Sequence, residues 1–205
     1  MEKKEFEIIS RRAQRLCVRL NCIGKGSFGT VNLASYVSDG GVFAVKLVNS
    51  NSSLTSQIES LDNEIQILRS LSSPYVVQYL GDDLTQESGN VSHRNLHMEY
   101  LQGGTAVDVA SQFGQNEKDC GVRSYTWCII SALSYLHAMD FVHCDVKRKN
   151  VLLGSGSTAG IAKLADFRSS KLFSGDEKMI LPRGSPLWMA PEVVRGERQG
   201  PESDI

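Results

Sequence analysis

The sequence has few cysteines, no long apolar run and almost no net charge, and each of these absences excludes a class of protein. The five cysteines form no C-x-x-C pair, so we expect reduced thiols in a cytoplasmic or nuclear protein rather than a disulfide or zinc framework. No apolar stretch reaches the roughly 18 residues that a membrane-spanning helix needs, and the charged N-terminus lacks the apolar stretch of a signal peptide. The formal net charge of -1 argues against nucleic acid or an anionic membrane as a partner. The oligomeric state stays open.

A short polar segment combines three kinds of side chain that phosphoryl transfer requires. Residues 143–150 read His-Cys-Asp-Val-Lys-Arg-Lys-Asn. The Asp145 carboxylate can accept a proton from a hydroxyl nucleophile, Lys147 can neutralise a phosphoryl group, and the Asn150 amide can help to hold Mg²⁺. Because this chemistry is mainly positioning and charge stabilisation, we predict that these three residues are catalytic. A charged surface loop is the alternative for the segment taken alone.

A glycine-rich turn, G-x-G-x-x-G, occupies residues 24–29. Its flanks, at 18–23 and 31–36, are short and partly alternating, which predicts a strand on each side. A dinucleotide-binding turn would instead run from a strand into a helix, and the P-loop pattern is absent. Glycines allow a backbone to approach phosphate oxygens closely. The sequence therefore predicts a phosphate-binding hairpin, with a ligand-free hairpin as the alternative.

A lysine near this turn has a candidate acidic partner further along the chain. Residues 42–48 alternate as a strand, so Lys46 shares a face with the small Ala44. A solvent-exposed lysine at a strand end is the default expectation, but a buried cation needs a partner. Glu64 borders an apolar stripe at helical spacing, and Glu59 is the weaker candidate. The residues of that stripe are Ile58, Leu61, Ile65, Leu68 and Leu71.

From about Leu16 onward, the motifs and their order along the chain resemble those of a eukaryotic protein kinase domain. Lys147 after Asp145, and the run from Gly184 to Glu192, resemble Ser/Thr kinases rather than Tyr kinases. His-Cys-Asp together with Trp-Met-Ala-Pro-Glu most resembles plant kinases at the top tier of MAP kinase cascades. The matching segments are 24–31 (glycine-rich loop), 44–46 and Glu64 (ion pair), 143–150 (catalytic loop), 166–168 (magnesium motif) and 190–192 (end of the activation segment).

The resemblance implies an α+β, two-lobed protein kinase-like fold. It places an N-terminal extension at 1–15, a β-rich N-lobe at about 16–98, a hinge at 99–101 and a mainly helical, incomplete C-lobe at 102–205. It also implies ATP and Mg²⁺ as cofactors, Asn150 and Asp166 as metal ligands, and a protein substrate, with a MAP kinase kinase as the candidate. The cofactor-binding residues would be Ile23, Gly24, Lys25, Gly26, Ser27, Phe28, Gly29, Thr30, Val31, Ala44, Lys46, Glu64, Met98, Glu99, Leu101 and Leu152.

Two residues depart from the family pattern. Arg168 replaces the glycine of Asp-Phe-Gly. This replacement restricts the backbone at position 168, because only glycine readily adopts some of the angles. Cys144 replaces the arginine that holds an activation-loop phosphate in the family, so phosphorylation of Ser169, Ser170 or Ser174 should matter less. Besides an active Ser/Thr kinase, a catalytically impaired, nucleotide-binding pseudokinase or regulatory fragment therefore remains an alternative.

The 205 residues are fewer than the family's domain contains, so we expect an incomplete C-lobe and a chain that binds nucleotide without being a competent kinase by itself. The helix expected at about 122–139 would lose packing partners of Ile130, Leu133 and Leu136, and Glu192 would lose its ionic partner. We expect residues 82–90 to form a polar loop, and strands at 151–153 and 162–165 to be joined by a glycine-rich turn.

Overall fold

A computed structural model of the chain describes residues 8–9, 16–26, 29–50, 55–87, 91–110, 118–174 and 181–205. Two compact units make up the chain. The first runs as far as Arg69 and resumes over Gln78–Tyr100, and the second consists of Ser70–Val77 and Leu101–Ile205. The chain last passes between the units after Tyr100, within the predicted hinge. The short segment Ser70–Val77, which the sequence placed in the N-lobe, packs with the second unit.

The first unit contains an antiparallel sheet and one helix. The elements are β1 (Ile8–Ile9), β2 (Leu16–Gly26), β3 (Gly29–Tyr36), β4 (Val42–Asn49), α1 (Thr55–Ser70), β5 (Tyr79–Glu87) and β6 (Val91–Glu99). The strand order in the sheet is β1-β2-β3-β4-β6-β5. Part of the predicted N-terminal extension joins this sheet, because Ile8 and Ile9 pair with Cys17 and Leu16.

The two faces of β4 pack differently, as its alternation predicts. Phe43 and Val45 are fully buried in a cluster with Cys17 and Ala34, and Phe43 stacks on Tyr36 with ring centroids 4.5 Å apart. Ala44 and Lys46 lie on the opposite face. The apolar stripe of α1 is confirmed, since Leu61, Ile65 and Leu68 are buried.

The prediction of a loop at residues 82–90 is wrong for the part that the structure describes. Asp82 to Glu87 continue β5 and pair with β6, while residues 88–90 lie outside the described ranges. The acidic residues are accommodated by tertiary partners: Asp82 accepts hydrogen bonds from Arg69 and from Arg94, the latter at 2.8 Å. These ion pairs override the low strand propensity of aspartate.

The second unit combines a long helix with two small sheets. The elements are α2 (Ala106–Ala110), α3 (Lys118–Ala138), β7 (Phe141–Val142), β8 (Val151–Leu153), β9 (Ala162–Leu164), β10 (Lys171–Leu172) and α4 (Pro191–Val194), with single turns of 3-10 helix at 148–150, 156–158, 167–169, 186–188 and 201–204. Strands β8 and β9 form the predicted antiparallel hairpin, and α3 packs on β9. Their shared core consists of Cys128, Val151, Leu153 and Ala162.

Two expectations for this unit need correction. The helix begins at Lys118, before the predicted residue 122. Of the three apolar residues expected to lose packing partners, Ile130 is exposed, at 58%, while Leu133 and Leu136 are buried. Their packing partners lie within the chain itself. Glu192 accepts a hydrogen bond from the Ser203 hydroxyl at 2.9 Å, which is a neutral partner, so the expected loss of its ionic partner stays a prediction.

The predicted fold class is confirmed by a strand-rich first unit and a second unit whose longest element is a helix. Among the described residues, no helix is both long and apolar enough to cross a membrane.

Candidate active site

Three of the predicted nucleotide-binding residues of the first unit lie in one row across the sheet. Gly24 pairs with Val31, and Val31 pairs with Lys46. Directly opposed residues of an antiparallel pair present their side chains on the same face. The turn between β2 and β3 is a hairpin, as predicted, and Gly24 lies two strands away from Lys46 in the same row. Lys25 pairs with Thr30 and Gly26 with Gly29, whereas Ser27 and Phe28 lie outside the described residues.

The same face continues toward the end of β6. Ala44, two residues before Lys46, pairs with Met98, and both are buried. Glu99 is tied to the first strand of its hairpin, since its backbone nitrogen and its carboxylate both bond to Gln78. Of the remaining predicted cofactor-binding residues, Ile23 is 40% exposed in β2, and Leu101 and Leu152 belong to the second unit.

Lys46 and Glu64 form a buried ion pair. The Lys46 Nζ atom lies 2.5 Å from Glu64 Oε2, and the Glu64 side chain is fully buried. The period-two pattern of β4 and the helical spacing of α1 together place these two residues opposite each other. Glu64, rather than Glu59, is the partner. A buried pair of this kind fixes α1 against the sheet face that includes the glycine-rich hairpin.

In the second unit, the Asp145 carboxylate is oriented by three donors. Its Oδ2 accepts hydrogen bonds from Lys147 Nζ at 2.6 Å and from Asn150 Nδ2 at 3.1 Å. Its Oδ1 accepts from the backbone nitrogen of Ser185 at 2.9 Å. The three predicted catalytic residues are therefore in direct contact, with Asp145 only 7% exposed. Charge-assisted bonds to both oxygens hold the carboxylate in one orientation.

Ser185 is a site residue that the sequence reasoning missed. Besides its backbone bond to Asp145, its hydroxyl accepts a hydrogen bond from Lys147 Nζ at 2.6 Å. The lysine is thus shared between a carboxylate and a hydroxyl. The signal in the sequence is a small hydroxyl residue between Gly184 and Pro186, within the run that resembles Ser/Thr kinases.

Asp204 is a second missed residue, and it holds the backbone at the start of the predicted catalytic loop. Its carboxylate accepts hydrogen bonds from the backbone nitrogens of His143 and Cys144, both at 2.8 Å, and contacts His137 Nε2 at 2.9 Å. His143 and Asp204 are 61 residues apart in the sequence. Local sequence patterns give no indication of such a distant bond.

The ring of His143 is fully buried and both of its nitrogens are bonded. Nε2 donates to the carbonyl of Ala165 at 3.2 Å, and Nδ1 accepts from the backbone nitrogen of Asp145 at 3.2 Å. This pattern requires the neutral ring, because an imidazolium has no acceptor nitrogen. Desolvation lowers the pKa of His143, although the negative charge of Asp204 opposes this effect.

Stability is therefore expected to fall as the pH falls below about 6.5, the ordinary histidine value. Between that value and the lowered pKa of His143, the unfolded chain binds more protons than the folded chain, so acid favours unfolding by about 1.4 kcal/mol per pH unit. Urea denaturation between about pH 5.5 and 7.5 measures this slope. His143→Gln should flatten it, and equal slopes in both proteins would contradict the assignment.

Gly184 allows the activation segment to approach the catalytic loop closely. Its φ is +107°, and a Cβ atom at this position would lie 2.0 Å from the carbonyl oxygen of Cys144. Neither the backbone conformation nor the available space accommodates a side chain. The approach places Ser185 within bonding distance of Asp145.

Gly184→Ala is therefore expected to destabilise the fold by about 3 kcal/mol or more, combining backbone strain with the clash. Gly196→Ala is the matched control, since Gly196 has a φ of +80° but nothing within 4 Å of its added Cβ. The control should cost only about 1–2 kcal/mol. Urea denaturation of both variants measures the difference, and equal losses would show that the close approach to Cys144 is unimportant.

Cys144 supplies no positive charge beside Asp145, the predicted catalytic base. Its side chain is 8% exposed, and its φ is +66°. Desolvation, reinforced by the negative charge of Asp204, raises the pKa of the Cys144 thiol to about 12. The thiol therefore stays protonated, and its hydrogen bond goes to the carbonyl of Val142. This residue is neither a nucleophile nor a phosphate ligand.

The predicted metal ligands offer oxygen donors of the type that Mg²⁺ prefers. Asn150 Nδ2 donates to the carbonyl of Asp145 at 2.9 Å, which turns the amide oxygen of Asn150 away from that carbonyl. Asp166 has a φ of +68° and begins the turn at 167–169. Its two carboxylate oxygens accept hydrogen bonds from Arg168, each at 2.5 Å. The donor types therefore fit a magnesium ion, while Arg168 uses the same carboxylate.

Comparison with known proteins identifies the family of this chain. The sequence model of the protein kinase domain matches residues 17–205, and the chain belongs to that family. Mitogen-activated protein kinase kinase kinase 17 of Arabidopsis thaliana is 43% identical over 184 residues, which are 89% of this chain and 47% of that protein.

Two further relatives extend the comparison. Mitogen-activated protein kinase kinase kinase 18 of Arabidopsis thaliana is 41% identical over 189 residues, 89% of this chain and 53% of that protein. Mitogen-activated protein kinase kinase kinase A of Dictyostelium discoideum is 37% identical over 189 residues, 89% of this chain and 19% of that protein. The resemblance to plant kinases of this tier is confirmed. The chain spans about half the length of these two Arabidopsis thaliana relatives.

Proposed function

We propose that this chain forms the catalytic part of a Ser/Thr protein kinase that transfers the γ-phosphate of ATP to a protein hydroxyl. The observation that supports this proposal best is that the Asp145 carboxylate accepts three hydrogen bonds, from Lys147, Asn150 and Ser185. A carboxylate held in this way is suited to receive a hydroxyl proton.

The chemical step uses these residues as follows. The substrate hydroxyl oxygen forms a bond to the γ-phosphorus, and the bond from that phosphorus to the bridging oxygen breaks, so that its electron pair leaves with ADP. The hydroxyl proton passes to Asp145, and the charge of Lys147 stabilises the transferring phosphoryl group. Asn150 and Asp166 would hold Mg²⁺, which supplies charge neutralisation at the phosphates.

In the first unit, the Lys46–Glu64 pair would serve nucleotide binding. An ammonium group oriented by a buried carboxylate can pair with the α- and β-phosphates of ATP. The glycine-rich hairpin would bring backbone nitrogens near the phosphates because its glycines have no Cβ. The alternative of a nucleotide-binding regulatory fragment is not favoured, since the relatives named above are all kinases.

The names of the relatives suggest the substrate. They are kinases of MAP kinase kinases, so we propose a MAP kinase kinase as the protein substrate in a MAP kinase cascade. We also propose a cytoplasmic or nuclear location, because the five cysteines of the sequence form no C-x-x-C pair.

Because the chain is not expected to be a competent kinase by itself, the proposal is tested with a protein in which a complete C-lobe follows this chain. That protein is incubated with MgATP and a MAP kinase kinase whose own catalytic aspartate is mutated, so that the substrate cannot label itself. Mass spectrometry then identifies the phosphorylated side chains. We expect phosphoserine or phosphothreonine on the MAP kinase kinase. Phosphotyrosine alone, or no phosphate on any of several MAP kinase kinases and generic proteins, would contradict the proposed function.

Activity is also expected to depend little on phosphorylation of the activation segment. The neutral, buried Cys144 cannot make the bidentate phosphate contact of an arginine, and Ser170 is itself buried, with its hydroxyl bonded to the carbonyl of His143 at 3.0 Å. Phosphatase treatment should lower the rate of transfer less than about tenfold. A hundredfold loss in the rate of transfer, about 2.7 kcal/mol, would show that a group other than residue 144 binds the activation-segment phosphate.

A further inference from the structure

Arg168 forms a two-point ion pair with the predicted metal ligand Asp166. Its Nε donates to Oδ1 and its Nη2 donates to Oδ2, each at 2.5 Å. Both side chains are about one-fifth exposed, at 21% and 20%. The turn at 167–169 and the positive φ of Asp166 bring residues 166 and 168 onto the same side of the backbone. The sequence alone indicated only a restriction of the backbone at position 168.

This geometry involves both carboxylate oxygens. A planar guanidinium matches a carboxylate with two parallel hydrogen bonds, and such pairs are among the strongest charge-assisted contacts. A divalent cation binds through the same oxygens. It must therefore displace at least one of the two hydrogen bonds, and it meets a positive charge that solvent screens only partly. A glycine at position 168 would impose neither cost.

We propose that Arg168 is a built-in competitor of the divalent cation at Asp166, and that it weakens the affinity of this chain for Mg²⁺. The inference rests on the proposed function, because it assumes that Asp166 is a metal ligand. It goes further by naming the residue that sets the cation requirement. Arg168 is a positioning residue here, since it acts through Asp166 and not on the reacting atoms.

The same ion pair gives Arg168 a second consequence. While the guanidinium neutralises Asp166, the carboxylate no longer repels nucleotide phosphates, so part of the cation's usual role is already fulfilled. Nucleotide affinity should therefore change less between Mg²⁺ and a chelator in this chain than in a variant that lacks the arginine. This dependence is a binding property and can be measured without catalysis.

The test titrates the chain with Mn²⁺, which replaces Mg²⁺ and is followed by electron paramagnetic resonance, with and without a non-hydrolysable ATP analogue. Arg168→Ala removes the guanidinium and keeps the Cβ, and it should bind Mn²⁺ about tenfold more tightly or better. Arg168→Lys keeps the charge without the planar fork and should fall between the two. Equal Mn²⁺ affinity of the chain and Arg168→Ala would overturn the proposal.

Asp166→Asn provides the control on the mechanism. In an Asp166→Asn background, the gain from Arg168→Ala should disappear, because the carboxylate for which Arg168 and the cation compete is gone. A gain that persists would show that Arg168 acts by general repulsion, and it too would overturn the proposal. The outcome is separable from that of the proposed function, since a tenfold gain in Mn²⁺ affinity supports the competition even if no variant transfers phosphate.

Discussion

Replacing Asp145 by Asn is expected to lower the rate of phosphate transfer by about 10²- to 10⁴-fold while nucleotide binding persists. An amide cannot accept the substrate proton, and its NH₂ group must face a donor, because both carboxylate oxygens of Asp145 now accept hydrogen bonds from Lys147, Asn150 and Ser185. The chemical step should therefore fail although the fold of the first unit is unchanged. Steady-state transfer to a protein substrate and nucleotide titration by calorimetry measure the two properties.

Asp140→Asn is the matched control for this variant. Asp140 lies five residues earlier, is exposed and has a φ of +59°, which asparagine tolerates. It makes no bond to the Asp145 carboxylate among the described contacts. Phosphate transfer by Asp140→Asn should stay within about twofold of the unmodified chain. Normal turnover by Asp145→Asn would remove Asp145 from the role of catalytic base.

The second large effect concerns the buried ion pair of the first unit. Lys46→Met should lower the free energy of unfolding by about 3–5 kcal/mol, because it removes the cation that lies 2.5 Å from a fully buried carboxylate. Far-ultraviolet circular dichroism during urea denaturation measures the change. Tryptophan fluorescence is unsuitable, since Trp127 and Trp188 both belong to the second unit.

Two further variants separate the ion pair from other effects. The double variant Lys46→Met, Glu64→Met should recover most of the lost stability, because an apolar pair leaves no buried charge. Lys25→Met changes an exposed lysine at the end of β2 and should alter stability by no more than about 0.5 kcal/mol. A loss below about 1 kcal/mol in Lys46→Met would contradict the importance of the pair for stability.

The parts of the fold that the sequence predicted well depend on local patterns. Alternation predicted the opposite faces of β4, and helical spacing predicted the buried stripe of α1 and the choice of Glu64 over Glu59. The glycine-rich hairpin follows from two short strands separated by a turn. Each of these features is determined by residues within about one element of each other, so periodicity is sufficient to find it.

The features that escaped prediction depend on contacts between distant residues. Residues 82–87 form a strand in which Asp82 is neutralised by Arg69 of α1 and Arg94 of β6. Asp204 bonds to His143 from the far end of the chain, and Ser185 reaches Asp145 only because Gly184 permits a close approach. The ion pair of Arg168 is local, but no periodic pattern distinguishes a side chain that folds back from one that points into solvent.

We propose that the Asp145 site transfers the γ-phosphate of ATP to a protein hydroxyl. To test this, a kinase that contains this chain and a complete C-lobe is incubated with a MAP kinase kinase and with ATP labelled in either the γ- or the α-phosphate. Mg²⁺ is saturating, so that Arg168 does not limit cation binding. We expect label to reach the protein from the γ-position only, and Asp145→Asn to lower its transfer by about 10²- to 10⁴-fold. Bound nucleotide without transfer of γ-label above the level without enzyme would show that the site does not catalyse this reaction.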